Sequence, residues 1–229
     1  MTTKIAVIYY SATGTVRALA EAVADGAASA GAEIRLRPVA ELTAGGGNGT
    51  VTEPTTEGGN GAVAKPTIDV GNGGNGAVAP ASVEDLAWAD AYAFGTPSRF
   101  GTPAAPLKHF LDQAVGLWRE GVLADKPVTA FTSAHNRHGG NEATLLSLAN
   151  VFYHWGALIV PPGYTDTAVY AGGGNPYGAS AVSGPGGDDL DAVLGAARYQ
   201  GARLARTAIR LQAGTSSRPV ETEAVPSGA

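Results

Sequence analysis

Three short clusters hold most of the chemistry open to these residues. The first, Ser11-Ala12-Thr13-Gly14-Thr15-Val16, places three hydroxyls and a glycine between an apolar run and a helical pattern. Free backbone N–H groups at a helix start, with the positive end of its dipole, attract a phosphate. The segment has no P-loop lysine and lacks the Gly-x-Gly-x-x-Gly spacing, which disfavours a nucleoside triphosphate or a Rossmann-bound dinucleotide. The same hydroxyls also suit plain helix capping, so both roles stay open. The second cluster, residues 95–101 (GTPSRFG), offers Ser98, an Arg99 that either meets a phosphate or pairs with a local acid, and a Phe100 flat enough to lie beside a ring. The third, residues 132–142 (TSAHNRHGGNE), holds Ser133, Ala134, His135, Asn136, Arg137, Gly139 and Gly140. A loop so rich in small and polar residues can turn backbone N–H groups toward an electron-rich ring edge. His135 and His138 are three residues apart with no acid or thiolate cluster beside them, so no metal site is expected.

The elements around these clusters must bring them together. Residues 4–10 (KIAVIYY) form a continuous apolar run, as in a strand buried on both faces. Residues 16–30 repeat apolar side chains at helical spacing, and residues 34–39 make a second strand. Residues 82–85 (SVED) suit a helix start. Further strands are expected at 91–95, 127–133 and 157–160, with helices at 104–114, 142–155 and 188–211. Residues 164–187 read as one long loop. Strands alternating with helices predict an α/β fold. Five parallel strands suit a doubly wound, flavodoxin-like sheet in the order 2-1-3-4-5. Ligands of such sheets sit outside the carboxyl ends of the strands, near the switch point between strands 1 and 3. All three clusters fall at strand ends of that kind.

Composition narrows the class. Of 229 residues 33 are Gly, yet no collagen period is present, and 44% of the chain is apolar, which excludes global disorder. Eleven of those glycines lie within residues 45–76, where Gly-Gly-Asn-Gly recurs at 46–49, 58–61 and 73–76. We read residues 43–81 as a flexible, low-complexity insertion in a single domain spanning 1–212, and residues 213–229 as a disordered tail. A net charge of −5 disfavours a nucleic-acid partner or an anionic membrane. No run reaches the ~20 apolar residues of a membrane span, and the start lacks a signal-peptide layout. Cys is absent, which removes disulfides, thiolate metal sites and a Cys nucleophile. A cytoplasmic protein with no membrane insertion is expected.

Several longer motifs share one likeness. Tyr9-Tyr10-Ser11, Phe94-Gly95-Thr96-Pro97-Ser98-Arg99-Phe100-Gly101, Phe110-Leu111-Asp112-Gln113, Gly116-Leu117-Trp118, His154-Trp155-Gly156, Ile159-Val160-Pro161, Pro176-Tyr177-Gly178 and Ala197-Arg198-Tyr199-Gln200-Gly201 resemble the WrbA-type family of flavodoxin-like NAD(P)H:quinone oxidoreductases. The resemblance spans residues 4–40 and 82–212 in the same order. It implies flavin mononucleotide (FMN) as cofactor, NADH or NADPH as electron donor, a quinone substrate and a homotetramer, with a dimer as the smaller alternative. It would place the phosphate on Ser11 to Val16, the ring and ribityl chain on Ser98, Arg99 and Phe100, and the polar ring edge on the loop from Ser133 to Gly140. It matches His154 to a catalytic, flavin-side histidine and Trp118 to the substrate pocket. A helix C-cap role for His154 and simple packing for Trp118 are the alternatives. Thr13 stands where that family commonly carries Tyr, and Trp155 where it carries a second His. A one-electron flavodoxin carrier and a non-catalytic flavin-binding regulator share the same fold.

Overall fold

In the computed structural model, residues 2–42, 68–69 and 78–215 are described. β1 (Lys4–Tyr9) has Ile5 to Tyr9 all buried. A strand apolar on both sides needs cover on both. Ile5 and Val7 enter one core, and Ala6 and Ile8 enter the other. α1 (Thr15–Ser29) follows, then β2 (Glu33–Pro38), parallel to β1 with Val7 opposite Leu36. The segment expected to be only a flexible insertion supplies an edge strand. In β3 (Ile68–Asp69), Ile68 pairs in parallel with Ile34. Thr67, Ile68 and Val70 in this stretch are β-branched, a composition suited to a strand in spite of Asp69. Residues 43–67 and 70–77 of that insertion lie outside the described residues.

α2 (Val83–Trp88) opens with a capping box in which the Ser82 N–H donates to Asp85 Oδ2 at 3.0 Å. β4 (Ala91–Arg99) runs well past the expected 91–95. β5 (Thr102–Pro103) folds back against its end, and α3 (Ala105–Asp112) and α4 (Val115–Arg119) lead to β6 (Pro127–Ala134). The extension of β4 has a non-local cause: Thr96 lies opposite Thr132 and Pro97 opposite Ser133 on β6. α5 (Asn141–Trp155) then crosses back to β7 (Leu158–Ile159).

The expected long loop over 164–187 is not structureless. It contains α6 (Thr167–Ala171) and β8 (Ser180–Val182). β7 and β8 both pair with β6, β7 at Pro127–Val128 and β8 at Thr132–Ala134. The fifth strand is therefore split in two. Pro161 and Pro162 have no N–H to continue the ladder, and the chain leaves the sheet there. α7 (Leu190–Thr215) closes the fold. It carries helix through residues 213–215, which the sequence assigned to a tail; residues 216–229 of that tail lie outside the described residues.

Gln200 of α7 fills the gap in the split strand. Its Nε2 donates to Thr129 Oγ1 at 2.6 Å and to the Ala130 carbonyl at 2.7 Å, and its Oε1 accepts from the Ala179 N–H at 2.7 Å. The sheet order is β3-β2-β1-β4-β6-β7, with β8 beside β7's place on β6. Apart from the edge strand β3, this is the doubly wound order that the sequence predicts. α1 and α7 cover one face at close range: a Cβ on Gly26 would overlap the Arg198 carbonyl, and one on Gly201 the Val23 carbonyl. The other face is sealed by Tyr92, Phe94, Phe152 and Trp155, with Phe94 and Phe152 stacked at 5.6 Å.

Candidate active site

Parallel register sets the first three clusters side by side. Tyr9 lies opposite Gly95, and Pro97 opposite Ser133, so the chain leaves β1, β4 and β6 at one edge of the sheet. At the first of these exits the Ser11 Oγ accepts from the N–H groups of Gly14 at 3.1 Å and Arg17 at 3.3 Å. Ser11 thus caps α1, and its hydroxyl hydrogen stays available as a donor. Gly14 precedes the helix at φ +91°, a conformation that suits glycine, and a Cβ there would meet nothing within 4 Å. The loop is therefore open on its outer side. Ala12, Thr13 and Gly14 are exposed, Thr15 is half-buried, and Val16 turns into the core. No acid sits in the first turn of α1, so nothing there offsets its positive end.

At the second exit, Ser98 and Arg99 belong to β4 rather than to a loop, and they pair with Pro103 and Thr102 of β5. The two residues between, Phe100 at φ +55° and Gly101 at φ +79°, form the tip of this hairpin. Two positive φ values suit the twist of a tight hairpin, but a bulky side chain rarely takes one. Phe100 nevertheless does, and its ring is wholly exposed at 105%. The tip presents a bare aromatic face at the expense of backbone strain, which tends to be stored at functional sites. Among the described residues no carboxylate pairs with Arg99, so the local salt bridge considered from sequence is not formed there. Its charge is felt by Tyr10. Burial pushes the Tyr10 phenol up, its hydrogen bond to Glu41 at 3.1 Å pushes the same way, and Arg99 pulls it partly down.

At the third exit, Ser133 and Ala134 are buried strand residues, and the exposed loop is His135 to His138. It is pinned on both sides. The His135 carbonyl accepts from the Gly184 N–H at 2.9 Å, and the Ala134 carbonyl from Ser183 at 2.9 Å. Ser98 Oγ donates to the Gly139 carbonyl at 2.7 Å, and Thr144 Oγ1 donates to Ser98 Oγ at 2.9 Å. The Ser98 hydroxyl is thus a strut between the second and third clusters. A Cβ on Gly140 would stand 2.6 Å from Gly101 Cα, so these two loops meet backbone to backbone. Beneath them Asn141 is buried; its Oδ1 has no partner among the described residues, and its Nδ2 lies 3.4 Å from the Ala181 carbonyl. Thr144 and Asn141 were missed from sequence. The signal was there: residues 141, 144, 145 and 148 lie on one helical face, and two polar residues on an apolar stripe call for partners.

His154 and Trp118 lie elsewhere. The Trp118 Nε1 donates to the His154 carbonyl at 2.8 Å, so these two stand together. α5 starts at the loop edge, and His154 is the fourteenth of its 15 residues. That is a span of roughly 20 Å. Within one chain they face the opposite edge of the sheet. Trp118 and Tyr153 are exposed there at 47% and 69%. Among the described residues no group of three or more His, Cys, Asp and Glu could hold a metal.

A doubly wound parallel sheet, with an open, uncharged hydroxyl loop on its first helix and an aromatic tip beside it, defines a flavodoxin-like protein. Solved structures of like fold include a WrbA-like flavodoxin from Agrobacterium tumefaciens (TM-score 0.58, 23% identity, 91% of this chain and 99% of that one). Another is a flavodoxin from the Archaea (TM-score 0.57, 17% identity, 90% and 99%). The family model described as NADPH-dependent FMN reductase matches residues 3–169, and the chain belongs to that family. A relative from Cupriavidus metallidurans is 40% identical over 215 residues, covering 91% of this chain and 98% of its own. One from Deinococcus radiodurans is 38% identical over 180 residues, covering 79% and 83%. Both are named NAD(P)H dehydrogenase (quinone).

Proposed function

We propose that the protein is an FMN-dependent oxidoreductase that passes hydride from NADH or NADPH to a quinone. The observation that carries this is the pairing of an acid-free, outward-open helix start with an exposed aromatic tip on the neighbouring strand. The residues present fit FMN: the open space above Gly14 admits a phosphate, and Phe100 offers an apolar wall. The names of the curated relatives support the same activity. When bound, FMN supplies the hydride-accepting and hydride-donating chemistry.

The chain's own part is to hold, orient and shield. The N–H groups of residues 12, 13, 15 and 16 and the hydroxyls of Ser11, Thr13 and Thr15 would hold the phosphate dianion, favoured by the α1 dipole. Arg99, which has no carboxylate partner among the described residues, adds a cation nearby. Phe100 would cover the ring and keep water from one side of it. The N–H groups of Arg137, His138 and Gly140 would stabilise negative charge at the polar ring edge, the Gly139 N–H being held by the Asn136 carbonyl at 2.8 Å. Gly139 and Gly140 are kept in place by Ser98 and Thr144. The distance of His154 and Trp118 from these loops supports a site shared between copies. In it a second subunit of a homotetramer brings Trp118 to the quinone side and His154 to donate a proton to the reduced product. No helix among the described residues is long and apolar enough to cross a membrane. The cytoplasm is the setting we propose for the enzyme. The purified protein should show flavin absorbance that NADH or NADPH bleaches and benzoquinone restores. A colourless protein that fails to bind added FMN would remove the proposal.

A further inference from the structure

On the face covered by α1 and α7, a cavity of about 270 Å³ opens beside the first loop. Thr15 forms one wall, and Val182, Ser183, Asp188 and Leu190, around the turn from β8 to α7, form the others. None of those four belongs to the three loops described above. The volume falls just under the roughly 300 Å³ at which small-molecule pockets begin. It suits a fragment of a dinucleotide rather than the whole.

Its lining is mixed in a telling way. Val182 and Leu190 are aliphatic, and Leu190 is exposed at 45%. Asp188 is held rigidly: Oδ2 accepts from the Val182 N–H at 2.9 Å, and the Asp188 N–H returns a bond to the Val182 carbonyl at 3.1 Å. Its other oxygen, Oδ1, has the Arg137 guanidinium at 3.8 Å, an ion-pair distance too long for a hydrogen bond. A fixed carboxylate oxygen in need of donors, beside a cation and a phosphate-binding helix start, matches the ribose diol of a nucleotide. Acidic residues accept from ribose hydroxyls in this manner in dinucleotide folds.

We propose that this cavity binds the ribonucleoside part of a nucleotide. Its ribose diol donates to Asp188, its base lies against Val182 and Leu190, and its 5′-phosphate points toward Arg137. The nucleotide is either free or the AMP half of a dinucleotide such as FAD. The second source rests on the phosphate-binding role of the first loop.

The test titrates AMP and 2′-deoxy-AMP calorimetrically into the full chain loaded with FMN, in the wild type and in Asp188→Asn. Asparagine keeps an oxygen for the Val182 N–H, so the turn is retained. Loss of charge-assisted hydrogen bonds of this kind weakens binding about tenfold or more. AMP should bind the wild type, with 2′-deoxy-AMP and the variant each weaker by that factor, while FMN fluorescence shows unchanged retention. FAD that displaces both FMN and AMP identifies the dinucleotide source. FAD that displaces FMN alone identifies the free nucleotide. If neither AMP nor FAD binding depends on Asp188, the proposal is overturned. FMN that is never retained, with AMP still bound in a diol-dependent way, would instead sink the flavin reading and leave the cavity's role standing.

Discussion

Replacing Phe100 by Asn should make the protein more stable and its cofactor less tightly held. At φ +55° a side chain with a Cβ pays a left-handed penalty of about 1–2 kcal/mol. Nothing among the described residues offsets this, because the ring is 105% exposed and buries no area. Asparagine tolerates the left-handed region, and Asn followed by Gly101 is the sequence a tight hairpin favours. Relief of about 1 kcal/mol should raise the melting temperature of the flavin-free protein by about 2–4 °C. With flavin the sign reverses. A phenylalanine side chain that becomes buried against a ligand contributes about 1.5–3 kcal/mol, so FMN affinity should fall roughly ten- to hundredfold. Thermal melts of apo-protein and fluorescence titration with FMN give the two numbers separately. An unchanged or lower apo melting temperature would refute the strain, and unchanged FMN affinity would refute the wall.

Other outcomes follow from the same geometry. Ser11→Ala removes the acceptor for two helix-start N–H groups, so the apo-protein should lose about 1 kcal/mol, read by urea melts, and retain FMN less well. Gln200→Leu strands the Ala179 N–H and the Ala130 carbonyl inside the protein; at about 1–3 kcal/mol for each unmet group, the melting temperature should drop by several degrees. Burial raises the Tyr92 phenol well above its ordinary value of 10.0, with Asp90 adding to the effect. The unfolded chain therefore loses this proton first, and stability should fall as pH climbs above 10. Tyr92→Phe should flatten that alkaline decline; an equally steep decline in the variant would rule Tyr92 out as its source.

Much of this was legible in the residues. The run Lys4 to Tyr10 has no polar side chain among Ile5 to Ile8, and its short length, β-branched content and the turn residues after it suit a strand buried on both faces. The three clusters could be placed at one edge because strand direction and helix direction alternate. The extension of β4 was not legible. Thr96 and Pro97 look like turn formers, and what straightens them is their pairing with β6, about thirty-six residues away. The split fifth strand was hidden for a related reason: pieces of two and three residues are too short to show a period. Asp188 becomes a candidate only through what it touches. The position of His154 could have been foreseen, since a helix that begins at the ligand edge must end at the other one.

The amide of Gln200 does the work of a missing peptide group, and this frees the chain between Val160 and Gly178 from the sheet; Val160 itself still donates to the Val128 carbonyl, and Gly178 packs on the Ala130 carbonyl. β6 is satisfied there by a helix from behind, so the sheet places no demand on the length or sequence of residues 161–177. That stretch is a cassette. Its backbone amides should exchange with solvent far ahead of Ala179, whose N–H is locked to Gln200. Grafts of foreign loops between residues 162 and 176 should leave the three-loop edge unaltered, which makes this excursion the natural place for the fold to acquire a new surface without disturbing its chemistry.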